Sequence, residues 1–313
     1  MDLLLTDYMD ADVAYLMGLI IARGTLHEAH GIRQVTIAFP FSTLHVKGLS
    51  DSYDQEVSIR LGLGDIRERL LELLQTDIQI IRHTTQIDLV IRFTRNTIAW
   101  RDILLLTHPA TNFTTFRIPT IFFEPTIPYQ WKAEFLRGYA DVAGNVRIAN
   151  RYVDGRHRVR LDVLNYPTNW DMPVQLCMLL QEHLAVPVQL ITWGHPNMGR
   201  GFREHQINIF ADAFVPIGFS LEHKQQLLTE LATFNTLHYP KAIAEPCPGE
   251  RRIGRHKSPD AREHDAHLAP SLHGNHYDAY WQICRALGCP RRPDRATQLL
   301  MPIDEGDPDE MSS

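Results

Sequence analysis

Apolar residues along this chain fall into two alternating rhythms, and the same succession of rhythms occurs twice. The first pass opens with an apolar run from Val13 to Ala22. A strand pattern follows at about 33–39, then a helix pattern at about 64–75 (Asp65 through Gln75), alternating runs at about 77–83 and 86–94, and a further helix starting near Asn96. The second pass predicts strands at Asn145 to Ala149 and Arg158 to Val163, a helix from Met172 to Leu184, strands at Val188 to Trp193 and Gln206 to Phe210, and a helix from about Leu221. Strands are read from period-two alternation and β-branched content, helices from 3.6-residue spacing. Each half therefore reads helix, strands, helix, strands, helix. Pro109, Pro119, Pro125 and Pro128 mark the link between them.

The segment opening each half has an unusual composition. Leu16-Met17-Gly18-Leu19-Ile20-Ile21-Ala22-Arg23-Gly24 is matched by Leu136-Arg137-Gly138-Tyr139-Ala140-Asp141-Val142-Ala143-Gly144, with central glycines 138 − 18 = 120 positions apart. Such self-similarity indicates an internal repeat. Ala14, Gly18 and Ala22, four residues apart, form one small-residue stripe on the first helix. A glycine inside a helix costs about 1 kcal/mol relative to alanine, and close approach of a second helix backbone at Gly18 and Gly138 would offset it. The plain alternative is two unrelated helices that tolerate a glycine.

These two nonapeptides, each opening the same order of elements, resemble the signature helices of the LAGLIDADG homing-endonuclease family in its two-motif, single-chain form. The resemblance covers about residues 10–235. It implies an α+β fold, a pseudo-twofold duplication of an αββαββα unit, with signature helices packed at the centre and strands forming a curved saddle over the major groove of double-stranded DNA. The expected bounds are 1–107 for the first repeat, 108–127 for the linker and 128–240 for the second repeat. An irregular extension (241–300) and an acidic tail (301–313) follow. The resemblance also implies a monomer.

In that family an acid in the eighth place of the nonapeptide holds a divalent metal at the scissile phosphates, because phosphodiester hydrolysis needs hard oxygen ligands for the metal. Here those places hold Arg23 and Ala143. The sixth places hold Ile21 and Asp141, which leaves Asp141 as the catalytic candidate, to bind one metal or to hydrogen-bond a nearby turn. Arg23 would stand in for the missing cation and touch a phosphate, or be a solvated helix-end arginine. Magnesium is expected only if cleavage is retained. If so, Glu28 and Glu134 are further acids that could serve it.

Strand alternation supplies candidate DNA contacts. Val35, Ile37 and Phe39 leave Gln34 and Thr36 on the other face, and Ile87, Leu89 and Ile91 leave Asp88 and Arg92. In the second half the polar face carries Asn145, Arg147, Arg158, Arg160 and Asp162. Arginine, asparagine and glutamine on a sheet are side chains able to read guanine and adenine edges, although ordinary solvent-facing strands look alike.

Formal charge is −6 over 313 residues, but Asp304, Glu305, Asp307, Asp309 and Glu310 account for five of it, so the body is near neutral. Binding to a polyanion then depends on where the bases sit. Four cysteines are too few for a disulfide scaffold. Cys247, Cys284 and Cys289, among histidines 256, 264, 267, 273 and 276, offer donors for zinc without the spacing of a standard finger. Arg251, Arg252, Arg255, Lys257 and Arg262 form a basic run that would extend a DNA footprint or serve as a solvated linker. No apolar run is long enough for a bilayer and the first residues are acidic, so a cytoplasmic protein with no membrane partner is expected. Three functions follow: a DNA binder without cleavage, an active metal-dependent endonuclease, or an interaction protein in the same fold.

Overall fold

Asp10 starts the first helix by accepting hydrogen bonds from the backbone N–H groups of Asp12 and Val13, both at 2.8 Å, which satisfies donors that a helix start leaves open. Helix α1 runs Ala11–Arg23 and passes directly into strand β1, Gly24–Ala29. The computed structural model describes residues 9–49, 53–94, 97–148, 156–164, 171–188, 190–196 and 203–238.

His30 and Gly31 turn β1 back onto β2, Ile32–Pro40; both have positive φ, 51° and 78°, the backbone of a two-residue hairpin turn whose twist matches that of its strands. A short helix α2, Phe41–Leu44, precedes α3, Gln55–Leu74. Asp54 caps α3 through the N–H of Val57 at 3.0 Å, and Gln75 ends it in the left-handed conformation. Strands β3, Asp77–Arg82, and β4, Gln86–Arg92, complete an antiparallel sheet of order β1-β2-β4-β3, and α4, Thr97–Thr107, closes the first repeat.

The second repeat has the same plan. Helix α5, Tyr129–Ala143, passes into β5, Gly144–Arg147, which pairs with β6, Arg158–Val163. Helix α6, Asp171–Met178, is followed by a π turn at Leu179–His183, then β7, Leu190–Pro196, and β8, Arg203–Phe210. The sheet order β5-β6-β8-β7 repeats that of the first. A short α7, Ala211–Phe214, leads to α8, Glu222–His238.

The repeats meet through α1 and α5. A methyl placed on Gly18 would lie 2.0 Å from the carbonyl oxygen of Phe135 and 2.8 Å from the nitrogen of Tyr139; on Gly138 it would lie 2.2 Å from the carbonyl oxygen of Tyr15 and 3.2 Å from the nitrogen of Leu19. The two backbones touch at the glycines, so the expected stripe has its compensation, with Ala14 and Ala22 also buried. Arg23, at the end of α1, lies within electrostatic reach of Lys224, which holds the carbonyls of Asp141 and Gly144 at the end of α5, so the two C-termini lie together and the helices run parallel. Beside this pair, Val35, Ile37 and Phe39 of one sheet and Val159, Leu161 and Ile209 of the other are fully buried and join one hydrophobic core.

Several details depart from expectation. Strand β1 was not anticipated. Helix α3 begins at Gln55 rather than near 64, and the helix expected over 172–184 ends as an α-helix at Met178. Within the expected link, 108–127, residues 111–113 lie along the outer edge of β1: Leu26 N–H donates to Thr111 O at 2.7 Å and Phe113 N–H to Gly24 O at 2.9 Å. That covers a sheet edge otherwise open to pairing. Among the described residues no helix is long and apolar enough to cross a membrane.

Candidate nucleic-acid interface and the centre between the repeats

The two signature helices end side by side, and their last residues decide what chemistry the centre can support. Asp141 is completely buried. Its carboxylate accepts from Tyr15 Oη at 2.7 Å, from Ser220 N–H at 3.0 Å and from Leu221 N–H at 3.4 Å, so it ties α1 to the start of α8. Burial pushes the carboxyl above its ordinary range, against the hydrogen bond from Tyr15 and the charge of Lys224. Burial likewise raises the Tyr15 hydroxyl, and the Asp141 charge adds to that rise. Of the two readings open to Asp141, this geometry is the one in which it hydrogen-bonds a nearby turn: the carboxylate has no exposed surface and its oxygens are engaged by three donors.

Lys224 closes the same end. Also fully buried, its ammonium donates to Asp141 O at 2.8 Å and Gly144 O at 3.0 Å, carbonyls left over where α5 terminates. A cation at a helix C-terminus is favoured by the macrodipole. Burial pulls its pKa down to about 8 despite the attraction of Asp141 and Asp162. Arg23 lies within electrostatic reach of both Lys224 and Tyr139 and is only 7% exposed. It is thus not the solvated helix-end arginine that was one of the two alternatives. The fixed cation Lys224 could not be foreseen, since it reaches the motif from about 80 residues away.

Other acids near the helices are committed as well. Glu134 is buried, with Arg69 Nη2 at 3.1 Å and Arg137 Nη1 hydrogen-bonded to its second oxygen. Arg69 also pairs with Asp12 at 2.7 Å and covers the Tyr15 ring. Glu28 bonds Arg33 at 2.9 Å and the indole N–H of Trp100 at 3.2 Å. Among the described residues no cluster of three or more His, Cys, Asp or Glu side chains could hold a metal ion. Cys247, Cys284, Cys289, the basic run and the acidic tail lie outside the described residues.

The sheets divide their faces as period two requires. In the first sheet the register sets His27 opposite Gln34 and Thr25 opposite Thr36, with Gln34 opposite Arg92 and Asp77 beside Arg92 in turn. These stand on the face away from Val35 and Ile37. Gln34 and Thr36 are half-buried and joined by a 3.0 Å hydrogen bond; Arg92 is half-buried as well, 3.9 Å from Asp77. In the second sheet Asn145 opposes Arg160 and Arg147 opposes Arg158. Arg147 is exposed and Arg158 half-buried. Two of the expected DNA contacts are engaged within the protein: Asn145 is buried and donates to Asp162 at 3.1 Å, and the half-buried Arg160 forms a 2.7 Å ion pair with the buried Asp162. A buried carboxylate draws the polar groups around it inward, since leaving it unpaired would be costly.

No family model matches the chain, and no curated protein matches it. Solved structures do. Mesophilic variants of the homing endonuclease I-DmoI align at 18% identity over 66% of this chain and 87% of that chain, TM-score 0.39. The homing endonuclease I-WcaI bound to its DNA recognition sequence aligns at 8% over 69% and 87%, TM-score 0.42, and the N-terminal LAGLIDADG domain of DUF199/WhiA at 15% over 69% and 83%, TM-score 0.36. The likeness is one of outline. Two sheets of matching strand order, each led by a helix that meets its counterpart at a glycine, give this chain its own duplicated αββαββα architecture.

Proposed function

We propose that this chain is a sequence-specific double-stranded DNA-binding protein that does not cleave its target. The observation that carries this reading is the composition of the centre. Where the two signature helices end together stand Arg23, Ala143 and the buried ammonium of Lys224, and the one carboxylate within the motifs, Asp141, is spent on Tyr15, Ser220 and Leu221.

A magnesium ion requires several oxygen ligands in near-octahedral array. The residues at the centre do not fit it: Arg23 and Lys224 repel it and Ala143 offers no donor, so no hydrolytic step is assigned to these residues. What remains is binding. Arg147, Arg158, Arg92, Gln34 and Thr36 sit on the polar faces of two sheets that begin at the same end of one helix pair. Their side-chain types suit base edges and phosphates.

The test is selection of bound duplexes from a random library, in EDTA and again in magnesium, at two salt concentrations. The reading expects enriched sequence, affinity falling with salt as phosphate contacts release counterions, and no dependence on magnesium. Absence of any captured duplex defeats it and favours an interaction protein; capture that requires magnesium favours the endonuclease.

A further inference from the structure

Helices α1, α3 and α4 wall a groove of about 510 Å³, lined by Val13 and Met17 of α1, Leu73 of α3 and Ile98, Leu105 and Leu106 of α4. Ile98 and Leu105 are 58% and 60% exposed. Seven positions apart on one helix, they stand on the same face about 10 Å from each other, with Arg101 and Asp102 on the rim between them. Apolar side chains gathered in a concave site form a seat for another apolar element.

The chain carries an element of matching form. Residues 277–288 lie outside the described residues, and their sequence has apolar side chains at Tyr277, Tyr280, Trp281, Cys284 and Leu287. That is the i, i+3, i+4, i+7 spacing of a helix with one apolar face. An amphipathic helix laid into an apolar groove through anchors so spaced is a recurring mode of recognition. Leu3, Leu4 and Leu5, which precede the groove residue Met9, are consecutive and lack the spacing. Charge agrees as well: the Arg101 side chain is 71% exposed, 3.3 Å from its neighbour Asp102, and Asp278 on the flank of the apolar face offers it an opposite charge.

Reach permits the contact. His223, near the start of α8, lies 3.5 Å from Ser58 on α3. From Ser58 to the groove at Leu73, and from His223 to the end of α8 at His238, each path is about 22 Å of helix. The distance to bridge is therefore under about 60 Å, whereas residues 239–276 can extend to about 125 Å. A flexible tether holds its own element at about millimolar concentration, which favours this segment over a second copy of the chain.

We propose that residues 277–288 form a helix that docks its apolar face into this groove, returning the C-terminal extension to the first repeat. The basic run between Arg251 and Arg262 then belongs to a loop held at both ends. The docking is independent of whether the chain binds DNA.

Two measurements on the full chain test it. In hydrogen exchange, amides 277–288 of the wild type should exchange at least about tenfold more slowly than in Leu105→Asp. Leu105 is exposed, so that variant is expected to fold, as circular dichroism would confirm. For the second, Cys247→Ser and Cys289→Ser are combined with Ile98→Cys or Leu105→Cys, and mild oxidation with diamide traps any thiol that approaches native Cys284; a disulfide needs Cα atoms within about 7 Å. Peptide mapping should find a link from Cys284 to at least one of the two positions, within one chain and unchanged on dilution. Leu61→Cys, 58% exposed on α3 and about 18 Å along the helix from Leu73, should give none. Fast exchange at 277–288 in the wild type, protection that survives Leu105→Asp, or no link at either position overturns the proposal. Links formed only between chains overturn it too, and assign the groove to a second copy.

Discussion

Gly18→Ala is the sharpest perturbation of the helix pair. The added carbon falls 2.0 Å from the Phe135 carbonyl oxygen and 2.8 Å from the Tyr139 nitrogen, against about 3.4 Å for ordinary contact. Both neighbours are backbone, so no side chain can swing aside and the helices must part by more than 1 Å. Overpacking in a close-packed core costs about 1–3 kcal/mol and occasionally more. Separation along the whole crossing also loosens Tyr15, Leu19, Phe135 and Tyr139, all buried. Alanine returns about 1 kcal/mol in helix propensity, so a clash with two backbones at the upper end of that range leaves a net loss of about 2 kcal/mol. Gly64 on α3, with nothing within 4 Å of an added carbon, is the internal control: Gly64→Ala should gain up to about 1 kcal/mol. Urea unfolding followed by far-UV circular dichroism measures both. If Gly18→Ala matches Gly64→Ala, the glycines are merely tolerated and the back-to-back crossing is wrong.

Three further outcomes follow from the buried polar groups. Asp141→Asn should cost about 2–3 kcal/mol, since charge-assisted hydrogen bonds from Tyr15, Ser220 and Leu221 are weakened, yet leave DNA affinity of the folded protein unchanged; lost DNA binding in a fully folded variant would speak against a structural role. Arg160→Ala leaves Asp162 buried beside Asn145 and should destabilise by about 3 kcal/mol, whereas exposed Arg147→Ala should change stability by less than about 0.5 kcal/mol; equal effects in denaturant titration would reject the assignment. His223 bridges the repeats, its ring against Leu44 O at 2.8 Å and Ser58 at 3.5 Å, and burial lowers its pKa to about 4 from an ordinary 6.5. A depressed folded-state value means its contribution is complete above pH 6.5 and is lost as pH falls through 4. The slope of stability against pH in that window, which His205 with a pKa of about 3 shares, should be shallower in His223→Gln than in the wild type; parallel slopes would exclude His223 as a source.

The duplication was legible because it has two carriers, a glycine within an apolar helix and a repeated order of periodicities. Strand faces were legible because the period is two: Gln34, Thr36 and Arg92 stand where alternation puts them. Strand β1 was not, since only Leu26 faces the core as a large apolar residue; the signal available was the His30-Gly31 turn. The first half of α3 was obscured by Ser58, Gly62 and Gly64, poor helix formers, although Asp54 and the spacing of Ile59, Leu63 and Ile66 mark it. Burial of Arg23, Asn145 and Asp141 was beyond reach. Each is enclosed by residues distant in sequence, Tyr15 and Asp141 being 126 positions apart, and no local pattern records that closure.

Two helix ends that meet at Arg23 and the buried Lys224 should carry no nuclease activity. Incubating the selected duplex with excess protein in magnesium and resolving both strands on a denaturing gel tests it most directly. Full-length strands alongside protein that remains bound are the expected result; a magnesium-dependent nick or double-strand break within the bound site would contradict it.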